Sequence, residues 1–174
     1  MGSELDRMRE EFTNLEILGI AIRSEIFARD FYIELSKKIK NPGVRKRVLA
    51  LASDEREHRR ILTAIYKKLS GEKNPPIPAE TPRQKKQIEK VKRLKKTSVR
   101  TLLQIAIANE SEAETRYTRL SQSGIGGEAV RILVYLAGME AGHRRILESE
   151  LEMLDEDKNW FDRNLGRDIQ LVGP

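Results

Sequence analysis

The two halves of this chain contain the same short pattern of ionisable residues. A glutamate is followed three residues later by a histidine at Glu55 and His58, and again at Glu140 and His143. These are the only histidines among the 174 residues, and we call the distance along the chain from His58 to His143 the repeat offset. Similar residues flank both pairs, so the chain contains an internal sequence repeat.

An isolated glutamate precedes each pair by the same interval, Glu25 before Glu55 and Glu110 before Glu140. Both isolated glutamates follow the sequence Ala-Ile-x-x, and the repeat offset relates them as well. Apolar residues recur at helical spacing around these positions, which predicts four amphipathic helices. Because side chains at i and i+3 share a helix face, each Glu-x-x-His pair directs a carboxylate and an imidazole to one point.

Four carboxylates and two imidazoles are the ligands that two neighbouring divalent cations require. Four ionised glutamates balance the charge of two such ions, whereas the same carboxylates without metal would be costly to bury. A single Glu-x-x-His on a charged helix is more often a solvated pair, but the duplication at a fixed offset favours metal. The predicted ligands of this dinuclear site are Glu25, Glu55, His58, Glu110, Glu140 and His143.

A tyrosine lies seven positions after each isolated glutamate, at Tyr32 and Tyr117. This spacing is about two helical turns, so each tyrosine shares the face of its glutamate. Two interpretations remain open: a core tyrosine whose hydroxyl finds a partner, or a direct redox role. A hydroxyl that bonds to a ligand glutamate and orients it is compatible with both.

Two further acids, Asp54 and Glu57, flank the first Glu-x-x-His pair. The second copy has Met139 and Gly142 at the corresponding positions. A group that both halves of a symmetric site need is expected in both copies. We therefore predict that neither acid is essential.

The composition restricts the chemistry available to the site. The chain has no cysteine, which excludes disulfides, iron–sulfur clusters and thiol nucleophiles and leaves oxygen and imidazole as ligands. Charged residues make up 34% of the chain and aromatic residues 5%, which is typical of long amphipathic helices. No apolar run approaches the about 20 residues of a membrane span, and the N-terminus lacks a signal-peptide core. We expect a cytoplasmic protein that does not enter a membrane.

The order of periodic segments and breaks predicts a single domain over residues 1–174. Its parts are two repeated halves at about 12–70 and 97–157, a crossover at about 71–96 and a tail at 158–174. Four of the six prolines lie from Pro75 to Pro82, so this stretch is predicted to be extended and long enough to run the length of a bundle. The predicted fold is an all-α ferritin-like four-helix bundle of two repeated αα-hairpins joined by this long crossover.

Periodicity and helix breakers predict the bounds of the four helices. The first runs from about 12 to 40 and ends at Asn41-Pro42-Gly43, and the second continues to Ser70, with Gly71 as its C-cap. The third opens with a capping box at Thr81-Pro82-Arg83-Gln84 and can run from about 82 to 121, although its repeat-equivalent part is expected to begin only near Thr97. The fourth covers about 128–157. The apolar tail residues predicted to cover a bundle end or a partner subunit are Trp160, Phe161, Leu165, Ile169 and Leu171.

The net charge of +6 is concentrated in one segment. Residues 83–100 contain nine basic side chains and one acid, Glu89, for a net charge of +8, so the remainder carries −2 (6 − 8). This basic segment could be a short crossover helix, an overlong end of the third helix, or a hinge that exchanges hairpins between subunits. It could also bind nucleic acid, but it has no aromatic residue to stack on bases, so a solvated helix face is the favoured interpretation.

Two Glu-x-x-His segments and two isolated glutamates on four helices resemble the ferritin-like di-iron carboxylate superfamily, and most closely its rubrerythrin branch. The resemblance covers about residues 12–157 and implies a ferritin-like bundle that holds two iron ions, with manganese as an alternative. It also implies that Glu55 and Glu140 bridge the ions. The six-ligand set departs from rubrerythrins, which usually carry a further glutamate where this chain has Ala113, and is similar in this respect to bacterioferritin. Glu114, one turn beyond Glu110, is a weak candidate for an additional carboxylate.

The same resemblance implies a reaction with hydrogen peroxide or dioxygen. A peroxidase of this kind reduces hydrogen peroxide to water and is then reduced again by a donor. The chain lacks the cysteine-rich rubredoxin module of rubrerythrins, so the electrons are expected from a separate donor protein. We expect a homodimer. The alternatives are a ferroxidase or iron-storage protein of bacterioferritin type, and a DNA-binding ferritin-like protein that uses residues 83–100.

Overall fold

The computed structural model describes residues 14–72, 74–95, 97–122 and 127–160. Within these ranges the chain forms five α-helices and no strand: α1 (Asn14–Ser36), α2 (Pro42–Ser70), α3 (Pro82–Lys92), α4 (Val99–Ser121) and α5 (Gly127–Glu156). Helix packing is closest between α1 and α2 and between α4 and α5. The predicted all-α bundle of two hairpins is confirmed. None of these helices is both long and apolar enough to span a membrane.

The first hairpin turns at a proline that begins α2. The chain leaves α1 at Ser36, and Pro42 occupies the first turn of α2, where its missing N–H costs no hydrogen bond. The Asn41 side chain caps the helix by accepting a hydrogen bond from the Val44 N–H at 3.1 Å. The predicted continuation of the first helix to about residue 40 is therefore wrong. At the other end of α2, Gly71 adopts the predicted left-handed cap with φ of 74°.

The crossover between the hairpins begins as an extended segment along α1. Gly19 allows this contact, because a Cβ at that position would lie 3.1 Å from the Pro76 carbonyl oxygen. One turn further along α1, Arg23 donates a hydrogen bond from Nε to the Pro78 carbonyl at 2.7 Å. The extended segment thus accompanies the first half of α1.

The helix α3 makes the second half of the crossover. Thr81 and Gln84 form the predicted capping box at its start, and Lys38, beyond the end of α1, donates to the Lys92 carbonyl at 2.6 Å. The chain then leaves the helix, and α4 begins after a new cap at Ser98. A continuous helix over 82–121 is therefore wrong, and the basic segment is chiefly a short crossover helix. Nucleic-acid binding by this segment stays a prediction.

Two apolar clusters fill the bundle, one on each side of a layer of ionisable residues. One cluster joins the C-terminal part of α1 to the beginnings of α2 and α4, and includes Phe31, Leu35, Val48, Leu51 and Leu103. The other joins the N-terminal part of α1 to the later parts of α2 and α4 and the start of α5, and includes Ile17, Ile22, Leu62, Leu133 and Leu136. Each long helix therefore carries its site residues in the middle, between apolar positions that exclude water.

A partly buried ion pair closes one end of the bundle. Arg47 on α2 pairs with Glu150 on α5, whose other carboxylate oxygen accepts a hydrogen bond from Trp160 Nε1 at 3.0 Å. Trp160 also packs against the apolar cluster that contains Phe31. This contact agrees with the prediction that Trp160 covers a bundle end. The remaining predicted tail residues, Phe161, Leu165, Ile169 and Leu171, lie outside the described residues.

Candidate metal centre

The structure brings all six predicted ligands together between the two apolar clusters. Each isolated glutamate and each Glu-x-x-His pair comes from a different one of the four long helices. All six side chains are buried, with at most 2% of any residue exposed. The six residues are Glu25 from α1, Glu55 and His58 from α2, Glu110 from α4, and Glu140 and His143 from α5.

The ionisable atoms form two overlapping groups. One group contains Glu25 and His58, the other contains Glu110 and His143, and both include Glu55 and Glu140. Within each group the candidate ligand atoms lie within 4.8 Å of one another, close enough for a single ion to contact all of them. Two groups with two shared carboxylates are the arrangement expected of a dinuclear site with bridging glutamates.

The two imidazoles present the same ring nitrogen to the shared carboxylates. His58 Nδ1 lies 3.5 Å from Glu140 Oε1 and 3.4 Å from Glu55 Oε2. His143 Nδ1 lies 3.6 Å from the other oxygen of Glu140 and 3.7 Å from Glu110 Oε2. The rings stack nearly parallel, with centroids 5.7 Å apart and an angle of 11° between their planes. This symmetry follows from the sequence repeat.

Each tyrosine forms a hydrogen bond with the isolated glutamate of the other repeat. Tyr32 on α1 donates its hydroxyl hydrogen to Glu110 Oε1 on α4, and Tyr117 on α4 donates to Glu25 Oε1 on α1. The predicted bond between a tyrosine and a site glutamate is present, but it crosses between the hairpins. Burial, followed by the charge of the bonded glutamate, raises the pKa of both hydroxyls well above the usual range. Both tyrosines therefore remain neutral donors that orient these carboxylates.

Without metal, the cluster holds protons in place of cations. Burial, reinforced by the nearby Glu140 carboxylate, raises the pKa of Glu55 well above its usual range and that of Glu110 to about 8. Burial lowers the pKa of both histidines, but the attraction of the surrounding carboxylates outweighs it and raises the pKa of His143 to about 10 and that of His58 further. Burial raises the pKa of Glu140, but the attraction of the neighbouring His143 and His58 imidazoles brings the net value below its ordinary range.

Unpaired polar atoms show that protons alone do not satisfy the site. Within the described ranges, eleven buried side-chain nitrogen and oxygen atoms lack a hydrogen-bond partner, and nine of them belong to the six predicted ligands. Each such atom costs about 1–3 kcal/mol when left unsatisfied. Glu25 and Glu110 illustrate the pattern, because each bonds a tyrosine through Oε1 and leaves Oε2 unpaired toward the cluster. Hard oxygen and imidazole donors in this number fit two first-row divalent cations.

Comparison with protein-family models gives a match to the rubrerythrin model over residues 16–151. The chain belongs to the rubrerythrin family. A solved structure of a hypothetical protein from Pyrococcus furiosus is also similar, with 29% sequence identity and a TM-score of 0.62 over 89% of this chain and 98% of that one. Comparison with curated protein sequences gave no match. A rubrerythrin-family bundle with a buried cluster of carboxylates and histidines indicates a two-metal protein, and the assignment of individual ligands stays a prediction.

This rubrerythrin-family chain holds Glu114 away from the cluster. Arg144 donates from Nε to Glu114 Oε2 at 3.0 Å and from Nη1 to Glu148 at 2.9 Å, and about a third of the Glu114 side chain is exposed. The position used by the additional glutamate of rubrerythrins is Ala113, which packs in an apolar cluster. The structure therefore supports the low rank that the sequence gives to Glu114.

Two residues near the cluster are not among the predicted site residues. Asp54 Oδ2 lies 3.7 Å from Nε2 of His143, and Asn109 Nδ2 donates to the Tyr32 hydroxyl at 3.2 Å. The sequence argues against a role for Asp54 at the site because the repeat-related residue is Met139. For Asn109, the only indication of a role in the sequence is its position beside Glu110. Comparison of the two repeats identifies only residues that both halves contain. It therefore cannot identify a side chain that acts in one half alone.

Proposed function

We propose that this chain is a di-iron peroxidase that reduces hydrogen peroxide with electrons from a separate donor protein. The observation that carries the proposal is the pair of four-residue groups that share Glu55 and Glu140. Two iron ions bound there would supply the electrons and stabilise both peroxide oxygens as they separate. The overall reaction takes two electrons and two protons per hydrogen peroxide and yields two water molecules.

The residues of the chain have distinct tasks in this proposal. Glu55 and Glu140 would hold both ions at a fixed separation, and His58 and His143 would each bind one ion through Nδ1. The tyrosine hydroxyls occupy Oε1 of Glu25 and Glu110, so that Oε2 of each is free to bind metal. The apolar clusters on both sides limit access of water to the reaction.

The same centre could use ferrous iron itself as the substrate. The observation that favours such a ferroxidase is the symmetric six-residue set, with Ala113 in place of a further ligand and Glu114 bound to Arg144. The peroxidase remains our preferred function because the family model that matches this chain is that of rubrerythrin.

We expect anaerobic addition of Fe²⁺ to saturate near two ions per chain, since the structure offers two groups. Hydrogen peroxide should then oxidise the bound iron faster than air does, and repeated turnover should require an added reductant. Stopped-flow absorbance and iron analysis measure both quantities. A Glu114→Gln variant is the matched control, because it changes a carboxylate near the site that is bonded to Arg144, and it should behave as the parent chain does. Uptake of many more than two ions per chain, or indifference to peroxide, would favour the ferroxidase.

A further inference from the structure

The two halves of the metal centre differ in the residues behind the ligands. We call the group with Glu25 and His58 position A, and the group with Glu110 and His143 position B. The repeat offset relates every ligand of A to one of B, and it also relates the two tyrosines. Behind the ligands the symmetry fails, because Asp54 corresponds to Met139 and Asn109 corresponds to Ser24.

Asp54 supports the histidine of position B. The Nδ1 atom of His143 faces the shared carboxylates, so its Nε2 points away from the cluster, where Asp54 Oδ2 lies 3.7 Å away. Both atoms are buried and neither has a hydrogen-bond partner, so each is the nearest available partner for the other. A carboxylate behind a metal-bound imidazole fixes its tautomer and orientation and makes it a stronger ligand.

Among the residues that the structure describes, no carboxylate lies behind the histidine of position A. His58 Nε2 is buried and unpartnered. The residue equivalent to Asp54 is Met139, and a thioether is only a weak acceptor. His58 is therefore held less firmly as a ligand than His143.

Asn109 adds a second support to position B. Its amide donates to the Tyr32 hydroxyl at 3.2 Å, and Tyr32 in turn donates to Glu110. A hydroxyl that accepts a hydrogen bond is fixed in rotation and becomes a stronger donor, so the chain of bonds holds the Glu110 carboxylate. In position A, Tyr117 donates to Glu25 directly, while Ser24 donates to the Ile20 carbonyl of its own helix at 3.1 Å.

We propose that the two ion positions are unequal, and that position B fills first and retains its ion more tightly than position A. Asp54 and Asn109 act as positioning residues, and two independent departures from the repeat favour the same position. Loss of one such outer partner weakens metal binding by about 10- to 100-fold. The inference rests on the two-metal site of the proposed function but not on its reaction with peroxide.

Mn²⁺ calorimetry on chains reduced to one intact position tests this order. Two ions repel each other, so unequal steps in the parent chain alone do not show unequal positions. His58→Ala damages position A, and His143→Ala damages position B. We expect the first Mn²⁺ to bind His58→Ala at least about tenfold more tightly than His143→Ala. Equal affinities, or the opposite order, would overturn the proposal.

The positioning residues are tested in the same two backgrounds. Asp54→Asn should weaken Mn²⁺ binding about 10- to 100-fold in the His58→Ala chain and leave it unchanged in the His143→Ala chain. Asn109→Ser, which installs the residue of the other repeat, should show the same selectivity. Met139→Leu is the matched control at the position equivalent to Asp54 and should change neither background.

Equal weakening in both backgrounds would show a general structural effect and overturn the assignment of these residues. Each variant is melted without metal to compare its stability with that of its parent. If the alanine backgrounds do not fold, Asp54→Asn and Asn109→Ser in the otherwise unchanged chain decide the question, because the tighter of the two binding steps should weaken only if these residues serve the position that fills first. Unequal binding in a chain that is inert to peroxide would disprove the proposed function and leave this inference standing.

Discussion

Glu140→Ala is expected to abolish binding of both metal ions, whereas loss of a ligand to one ion should leave the other bound. The two oxygens of Glu140 lie 3.5 Å from His58 Nδ1 and 3.6 Å from His143 Nδ1, so one carboxylate reaches both groups. Alanine removes both contacts at once. Metal analysis after anaerobic loading should fall from two ions per chain to near none, and Glu55→Ala should behave in the same way.

The matched comparison for this prediction is a ligand that belongs to one group only. His58→Ala should retain partial occupancy, because Glu110, His143 and the two shared glutamates remain. Glu114→Ala should retain both ions, since that carboxylate is bonded to Arg144 instead. If Glu140→Ala held two ions tightly, Glu140 would not be a shared ligand, and the arrangement of the centre would need to be revised.

The sequence repeat predicted the six buried residues because the two halves of a symmetric site need the same kinds of ligand. Glu-x-x-His spacing fixes which side chains share a helix face, and the repeat offset pairs the halves. The repeat could not predict that Tyr32 bonds to Glu110 rather than to Glu25. That pairing depends on how the two hairpins pack, which spacing along one helix does not specify.

The errors in helix bounds have local causes. A proline such as Pro42 can mark the end of a preceding helix, but a proline after an asparagine is equally a start signal, and the Asn41 cap shows that it begins α2. The break between α3 and α4 lies in a lysine-rich segment with good helix propensity. The residue that indicates this break in the sequence is Ser98, whose side-chain oxygen accepts a hydrogen bond from the Thr101 N–H at 3.1 Å and caps α4. The repeat agrees with this break, because it places the start of the second half near Thr97.

Removal of metal is expected to lower the melting temperature, and the effect should increase as the pH rises. An ion present at about 100 times its dissociation constant stabilises a protein by about 2.7 kcal/mol. A change of about 1 kcal/mol moves the melting temperature of a chain of this size by about 2–4 °C. Two ions should therefore raise it by roughly 10–20 °C at neutral pH. Scanning calorimetry with and without a chelator measures the difference.

The pH dependence follows from the groups that hold protons when metal is absent. The pKa values of Glu110 and His143 are raised to about 8 and about 10, above their values in an unfolded chain. A raised folded-state pKa contributes stability that is present at low pH and is lost as the pH rises through that value. The metal-free protein should therefore become less stable between about pH 7 and 9, while the loaded protein, whose ligands carry ions instead of protons, should not.

Proton release gives an independent measurement of the same competition. Glu55, Glu110, His58 and His143 all have raised pKa values in the metal-free cluster, so binding of two ions should release protons near pH 7. Calorimetric titrations in buffers of different ionisation enthalpy count these protons. The Glu140→Ala chain is the control, because it should bind no ions, release no protons and melt at the same temperature with or without chelator. Equal melting temperatures for the parent chain in the two conditions would show that these residues do not form a buried metal site.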